Sequence, residues 1–121
     1  MVPDIANTEQ GQVRYSHVSR FDYEVQISSG TLFCSSMAQS RNSDTITNLY
    51  LTLQRRRSGE TGWTGITTRR DRQIGKNIAL VDFSYPAEAG CSYRVYAVCV
   101  ISDSNEDILE TVTGYSGIVT Y

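Results

Sequence analysis

Between residues 55 and 72 the chain carries Arg55, Arg56, Arg57, Arg69, Arg70 and Arg72, six of its eleven basic residues, together with its only tryptophan, Trp63. A guanidinium offers a planar fork of donors that matches carboxylate, phosphate or sulfate oxygens two at a time, and it stacks on aromatic faces. Arginines beside a tryptophan therefore suit an anionic ligand such as a phosphate, a sulfate or a carboxylate-bearing glycan. Against Glu60 and Asp71 the interval keeps a charge of about +4. The plainer reading is two solvated edges of a hairpin. Its complement is the stretch 82–110, where Asp82, Glu88, Asp103, Glu106, Asp107 and Glu110 oppose only Arg94, about −5. Pairing within one molecule and pairing between copies both fit that distribution.

Covalent or metal chemistry has little to work with. His17 is the only histidine, so a Ser/His/Asp set would have to recruit a residue near the N-terminus, and a histidine-containing metal site is not expected. The sequence has no G-x-S-x-G elbow, no phosphate-binding loop and no H-E-x-x-H pair. Carboxylates are plentiful, but no spacing singles out a pair for glycoside hydrolysis. Cys99 as a nucleophile would need an adjacent base and access to solvent, and an apolar strand supplies neither. The expectation is a chain without catalytic residues, metal or cofactor.

The elements that hold these residues are strands. "FDYEVQI" sets Phe21, Tyr23, Val25 and Ile27 against Asp22, Glu24 and Gln26, the period of two of a half-buried strand. "SSG" ends it and "TLFCSSMA" returns. "ITNLYLTLQ" places Leu49, Leu51 and Leu53 on one face and Tyr50 and Thr52 on the other, and "SGETG" turns the chain into "WTGITT". "RQIGKN" reads as a second turn, and "IALVDFSY" follows, closed by Pro86 and Gly90. "CSYRVYAVCVI" is the longest β-rich run, and "ILETVTGYSGIVTY" ends the chain as one strand, broken or bulged at Gly114 or Gly117. About seven strands with no sustained helical period predict a single antiparallel β-sandwich, immunoglobulin or fibronectin III-like.

Tyr93, early in its strand after a loop of small residues, is placed as the tyrosine corner of such sandwiches, its hydroxyl bonding back to the preceding loop. Two departures from antibody domains stand beside it. Val95 occupies the position of the second cysteine, and Trp63 follows a hairpin turn instead of lying mid-strand. Of the three cysteines, Cys34 and Cys99 fall on strands that such folds oppose. One bridge between them with Cys91 free is one arrangement, and three buried thiols is the other.

Totals agree with one domain. The 121 residues are 40% hydrophobic and 20% charged, enough for a core of its own. Residues 1–12 are expected as a flexible segment before a sandwich over 13–121. A net charge of −2 and a pI near 5.3 argue against a general nucleic-acid binder. No apolar run reaches the ~18 residues of a membrane span. The opening "MVPDIANTEQGQVRYSH" lacks the basic and apolar regions of a signal peptide. It is also what stands where an export signal has been exchanged for an initiator methionine.

"LQRRRSGETGWTGI", "AGCSYRVYAVCV" and "ETVTGYSG" together resemble a family of small exported proteins of unknown function from Clostridia and related Gram-positive, often gut-dwelling, bacteria. The resemblance rests on Leu53, Gln54, Gly59, Trp63, Gly90, Tyr93, Arg94, Glu110 and Thr111 and spans roughly residues 15–118. It implies export to the cell exterior and a β-sandwich, and it brings no catalytic or ligand residues with it.

The sequence therefore leads to a non-catalytic secreted binding module. Its candidate contacts are Arg55, Arg56, Arg57, Arg69, Arg70, Trp63, Tyr50 and Tyr96. Trp63 either offers a platform to a sugar ring or covers one end of the core. Tyr50, Tyr96, Tyr115 and Tyr121 are expected on the face away from the core, where tyrosines serve recognition. The gut distribution of the resembling family points to a host immunoglobulin or a mucosal glycan as partner. A self-associating structural protein is the alternative, and a hydrolase the third reading.

Overall fold

The computed structural model describes residues 15–121, so the segment 1–12 lies outside the described residues. Two antiparallel sheets face one another. The smaller holds β1 (Val18–Ser28), β2 (Thr31–Ser40) and β5 (Ala79–Pro86) in the order β1-β2-β5. The larger holds β3 (Ile46–Arg57), β4 (Thr64–Ile74), β6 (Cys91–Ser102) and β7 (Ile108–Tyr115) in the order β4-β3-β6-β7, with the short β8 (Val119–Thr120) also paired to β6. With β4 paired to β3 and not to the small sheet, three strands face five in an immunoglobulin and fibronectin III-like β-sandwich. Among the described residues no helix is long and apolar enough to cross a membrane.

Alternation decides what faces inward. Leu49, Leu51 and Leu53 of β3 and Val95, Ala97, Cys99 and Ile101 of β6 are fully buried against Leu32, Cys34 and Ala38 of β2 and Val81 of β5. Burying each large aliphatic side chain is worth about 1.5–3 kcal/mol. The β1–β2 hairpin turns through two residues, Ser29 (φ 50°) and Gly30 (φ 79°), both in the left-handed region that a right-twisted two-residue hairpin demands.

The corner at β6 forms as the sequence leads one to expect. Tyr93 is 1% exposed, and its hydroxyl accepts the Glu88 amide at 2.8 Å. That bond pins the β5–β6 loop to the strand it feeds, while Gly90 supplies the positive φ of 83° that turns the chain into β6.

Two boundaries differ from expectation. β4 runs on to Ile74, so Arg69, Arg70 and Arg72 belong to a strand and not to the rim of a turn. The final strand breaks at residues 116–118, where Ser116 bonds Val95 through both its amide and its Oγ and β8 then resumes pairing with β6. Gly114 stays in β7 for another reason. A Cβ there would fall on the hydroxyl and ring of Tyr23, which crosses from β1 onto β7.

Candidate functional site: the outer face of the five-stranded sheet

The six arginines do not form one cluster. Adjacent strand residues point to opposite faces, and Arg55, Arg56 and Arg57 divide accordingly. Arg55 and Arg57 lie on the core side at the end of the sandwich, where Nη1 and Nη2 respectively reach Glu88 Oε1 at 3.5 and 3.6 Å. Arg56 lies on the outer face, its guanidinium 4.7 Å from the Trp63 ring centroid. Arg69 is in register with buried Leu51 and turns toward the small sheet, 5.0 Å from the Phe83 ring. Arg70, paired with Tyr50, and Arg72, paired with Asn48, point outward, and Arg70 lies 6.0 Å from the Tyr50 ring.

The inner side of β4 seals an edge. Asp71, opposite Leu49, accepts the backbone amide of Leu80 on β5 at 2.9 Å and Gln73 Nε2 at 3.1 Å. Burial acts to raise this carboxyl, but the bonds from Leu80, Gln73 and Arg72 outweigh it and hold Asp71 below the usual carboxylate range. A β5 amide that would otherwise lie open at a sheet edge is thereby satisfied.

What gathers outside is a stacked series. Arg94 sits on β6 in register with Gln54 of β3, and its Nε donates to Gln54 Oε1 at 2.7 Å. Held by that bond, its guanidinium lies 4.3 Å from the Trp63 centroid and 4.1 Å from that of Tyr115. Tyr115 in turn stacks on its cross-strand partner Tyr96, with centroids 4.6 Å apart and planes inclined by 30°. Arg56, Trp63, Arg94, Tyr115 and Tyr96 thus run across the sheet as alternating cations and rings. Beside them Tyr50, Arg70 and Arg72 complete the face, and Thr52 and Thr68 are linked Oγ1 to Oγ1 at 2.7 Å.

Trp63 bears on the core-covering expectation. It is absent from the core cluster, being only half-buried, so it does not cover an end of the core. Its ring is engaged by two guanidiniums, those of Arg56 and Arg94. Tyr50, Tyr96 and Tyr115 do face away from the core. Tyr121 does not join them: it lies against the β1–β2 turn, where a Cβ on Gly30 would meet its hydroxyl at 2.9 Å.

Of the eight residues proposed from sequence, Tyr50, Arg56, Trp63, Arg70 and Tyr96 share this face, whereas Arg55, Arg57 and Arg69 do not. Arg94 went unrecognised as a contact, although the alternation in "CSYRVYAV" sets it opposite Tyr93 and Val95 and therefore outward. The outward positions, alternating along Asn48–Arg56, Thr68–Arg72, Ser92–Val100 and Thr111–Tyr115, include Arg56, Arg70, Arg72 and Arg94 and no aspartate or glutamate.

The acidic stretch expected to answer the arginines does so at one point, Glu88 with Arg55 and Arg57, and two of its other carboxylates hold backbone amides. Asp103 Oδ1 accepts the amides of Asn105 and Asp107 within its own turn, each at 2.9 Å. Glu110 accepts the amides of Ser16 at 3.3 Å and His17 at 2.7 Å, so its carboxylate fastens the start of β1 to β7. That places His17 at the end of the sandwich away from the Arg55–Glu88 contact.

The cysteine alternatives are resolved toward thiols: Cys34, Cys91 and Cys99 are all free and buried, and no Cys34–Cys99 bridge forms. Burial, with Asp82 adding to it, pushes the Cys34 thiol up to about 11, and burial with Glu110 pushes Cys99 up to about 12. Among the described residues no group of three or more His, Cys, Asp or Glu is arranged to hold a metal ion.

No protein-family model matches the chain, and no curated protein matches it. Solved structures similar to it include the selenomethionine-labelled β-glucosidase from Kluyveromyces marxianus, at 8% identity and a TM-score of 0.42 over 80% of this chain and 14% of that one. The same enzyme in complex with glucose matches at 8% identity and a TM-score of 0.43 over 84% of this chain and 15% of that one. The chain spans about a seventh of those proteins, and a likeness of this degree carries neither activity nor substrate to it.

Proposed function

We propose that this chain is a non-catalytic binding module that recognises an anionic protein or glycan through the outer face of its five-stranded sheet. One observation carries the reading: four arginines and the rings of Tyr50, Trp63, Tyr96 and Tyr115 share a sheet face on which, among the described residues, no outward strand position is an aspartate or glutamate. Arginine, tyrosine and tryptophan are enriched in recognition surfaces because they give large contact area and directional donors, though arginine brings an ordering cost. A rigid sheet with ring-stacked guanidiniums has already met part of that ordering cost.

The resemblance to exported proteins of Gram-positive gut bacteria supports a secreted module, with a host immunoglobulin or a sialylated or sulfated mucosal glycan as the partner class. Capture from mucosal secretions tests the reading, with wild-type protein set against Arg70→Gln/Arg72→Gln. These two arginines belong to the face but not to the stacked series, so the variant keeps the fold. Enrichment of an anionic protein or glycan on wild type and its loss on the variant is expected. Equal capture by both proteins, or none by either, refutes the reading.

A further inference from the structure

The two outer faces of the sandwich differ in charge. Alternate residues of β1, β2 and β5 that point away from the core include Asp22, Glu24 and Asp82, and the one cation among them, Arg20, is already held by Asp22 at 3.3 Å. Glu24 and Asp82 flank Ser35 in a single cross-strand row. Asp22, Glu24, Met37 and Leu80 help to line a shallow depression of about 400 Å³ in this face. Apolar contacts are available among the charges, since Phe33 is 48% and Leu80 52% exposed.

We infer that the acidic outer face of the three-stranded sheet docks on the basic, aromatic outer face of the five-stranded sheet of a second copy, so that chains stack head to tail. The inference rests on the reading of the five-stranded face as a recognition surface, and it names another occupant for it.

Complementarity selects this pairing over the alternatives. Basic face on basic face sets four arginines against four, and acidic on acidic opposes like charges, so both two-fold arrangements are disfavoured. Only the heterologous contact matches opposite signs. Because it joins opposite faces of one molecule, it leaves a free face at each end and repeats without closing. Apolar Phe33 and Leu80 facing Tyr96, Tyr115 and Val98 within a charged surround is the usual anatomy of a specific contact. The acidic segment 103–110, by contrast, serves its own turn and the start of β1.

Size makes the contact weak. Strands of about ten residues and three strand spacings give the smaller face roughly 35 by 14 Å, on the order of 500 Å² per partner. That falls below the roughly 800 Å² per partner of a standard stable interface, so assembly depends on concentration and on charge.

Sedimentation velocity of the full chain tests this, with Arg70→Gln/Arg72→Gln and Asp22→Asn/Glu24→Gln as variants. Both remove charge without creating a new complementary surface, and unchanged Trp63 fluorescence certifies each fold. At low ionic strength, where the Debye length is about 30 Å, wild type should form oligomers that grow with concentration, and they should dissociate at 1 M salt, where it is about 3 Å. Each variant alone should be monomeric, and their equimolar mixture should stop at a 1:1 dimer, because only one complementary pair of faces survives. Wild type that stays monomeric at millimolar concentration and low salt overturns the stacking. Oligomers that survive Asp22→Asn/Glu24→Gln overturn it as well. If either result accompanies partner capture that still depends on Arg70 and Arg72, the recognition face stands and only the stacking falls.

Discussion

The Arg94 guanidinium lies 4.3 Å from the ring centroid of Trp63, which joins the central strand of the large sheet to the residue just before β4. Each cation–ring contact at an exposed site is worth about 0.5–1 kcal/mol, and Arg94 makes two besides its bond to Gln54. Arg94→Ala should therefore cost about 1–2 kcal/mol, read as a lower urea midpoint at unchanged slope. The emission of the single tryptophan should shift to the red as its ring loses cover. Arg94→Lys should recover only part of the loss, since an ammonium neither stacks as a plane nor reproduces the Nε bond.

Removing the corner hydroxyl should act on stability alone. Tyr93→Phe removes a part-buried hydrogen bond to an exposed loop whose freed amide water can reach, a cost of about 0.5–1.5 kcal/mol. Thermal unfolding should show the loss while Trp63 emission in the folded state stays as in wild type. A change in emission would mean that the corner and the stacked series are not separate devices.

Gly114→Ala places a methyl group on the Tyr23 ring. Forced overpacking of this kind costs about 1–3 kcal/mol. The cost should largely vanish in the Tyr23→Ala background, giving a coupling of about 0.5–3 kcal/mol in a double-mutant cycle. Additive effects would show that Gly114 is there for strand geometry and not for Tyr23.

The thiols and Asp71 set opposite pH limits. Cys34 and Cys99 have folded values raised to about 11 and 12, so their contribution is complete below the unfolded thiol value, about 8.5, and is lost as pH rises through the folded values. Asp71 is depressed; its contribution is present above the unfolded carboxylate value and is lost as pH falls through the folded one. Denaturation midpoints should decline at both extremes, with Asp71→Asn removing part of the acid limb and Cys34→Ala/Cys99→Ala part of the alkaline limb. Native protein at pH 7 should react slowly with a thiol reagent, and three thiols should react after unfolding.

Much of the frame was legible in the sequence because alternation is a local signal. Leu49, Leu51 and Leu53, or Tyr93 and Val95, declare their face without knowledge of the neighbouring strand. The site was less legible because charge counted along the chain ignores that same alternation. Arg55 and Arg57 are neighbours of Arg56 in sequence and lie on the opposite side of β3. Arg69 turns inward because β4 is an edge strand whose core side reaches β5, which depends on sheet order. Arg94, 31 residues after Trp63 in the numbering, joins it only through the pairing of β3 with β6.

Anion binding at the outer face of the five-stranded sheet can be read residue by residue. Amide chemical-shift mapping of the dilute, ¹⁵N-labelled chain during titration with a heparin tetrasaccharide, a defined sulfated probe, tests it most directly. Salt-sensitive shifts confined to the strand positions around Tyr50, Arg70, Tyr96 and Val98 are expected. Shifts centred instead on the Arg55–Glu88 end of the sandwich, or no shifts at millimolar probe, would contradict it.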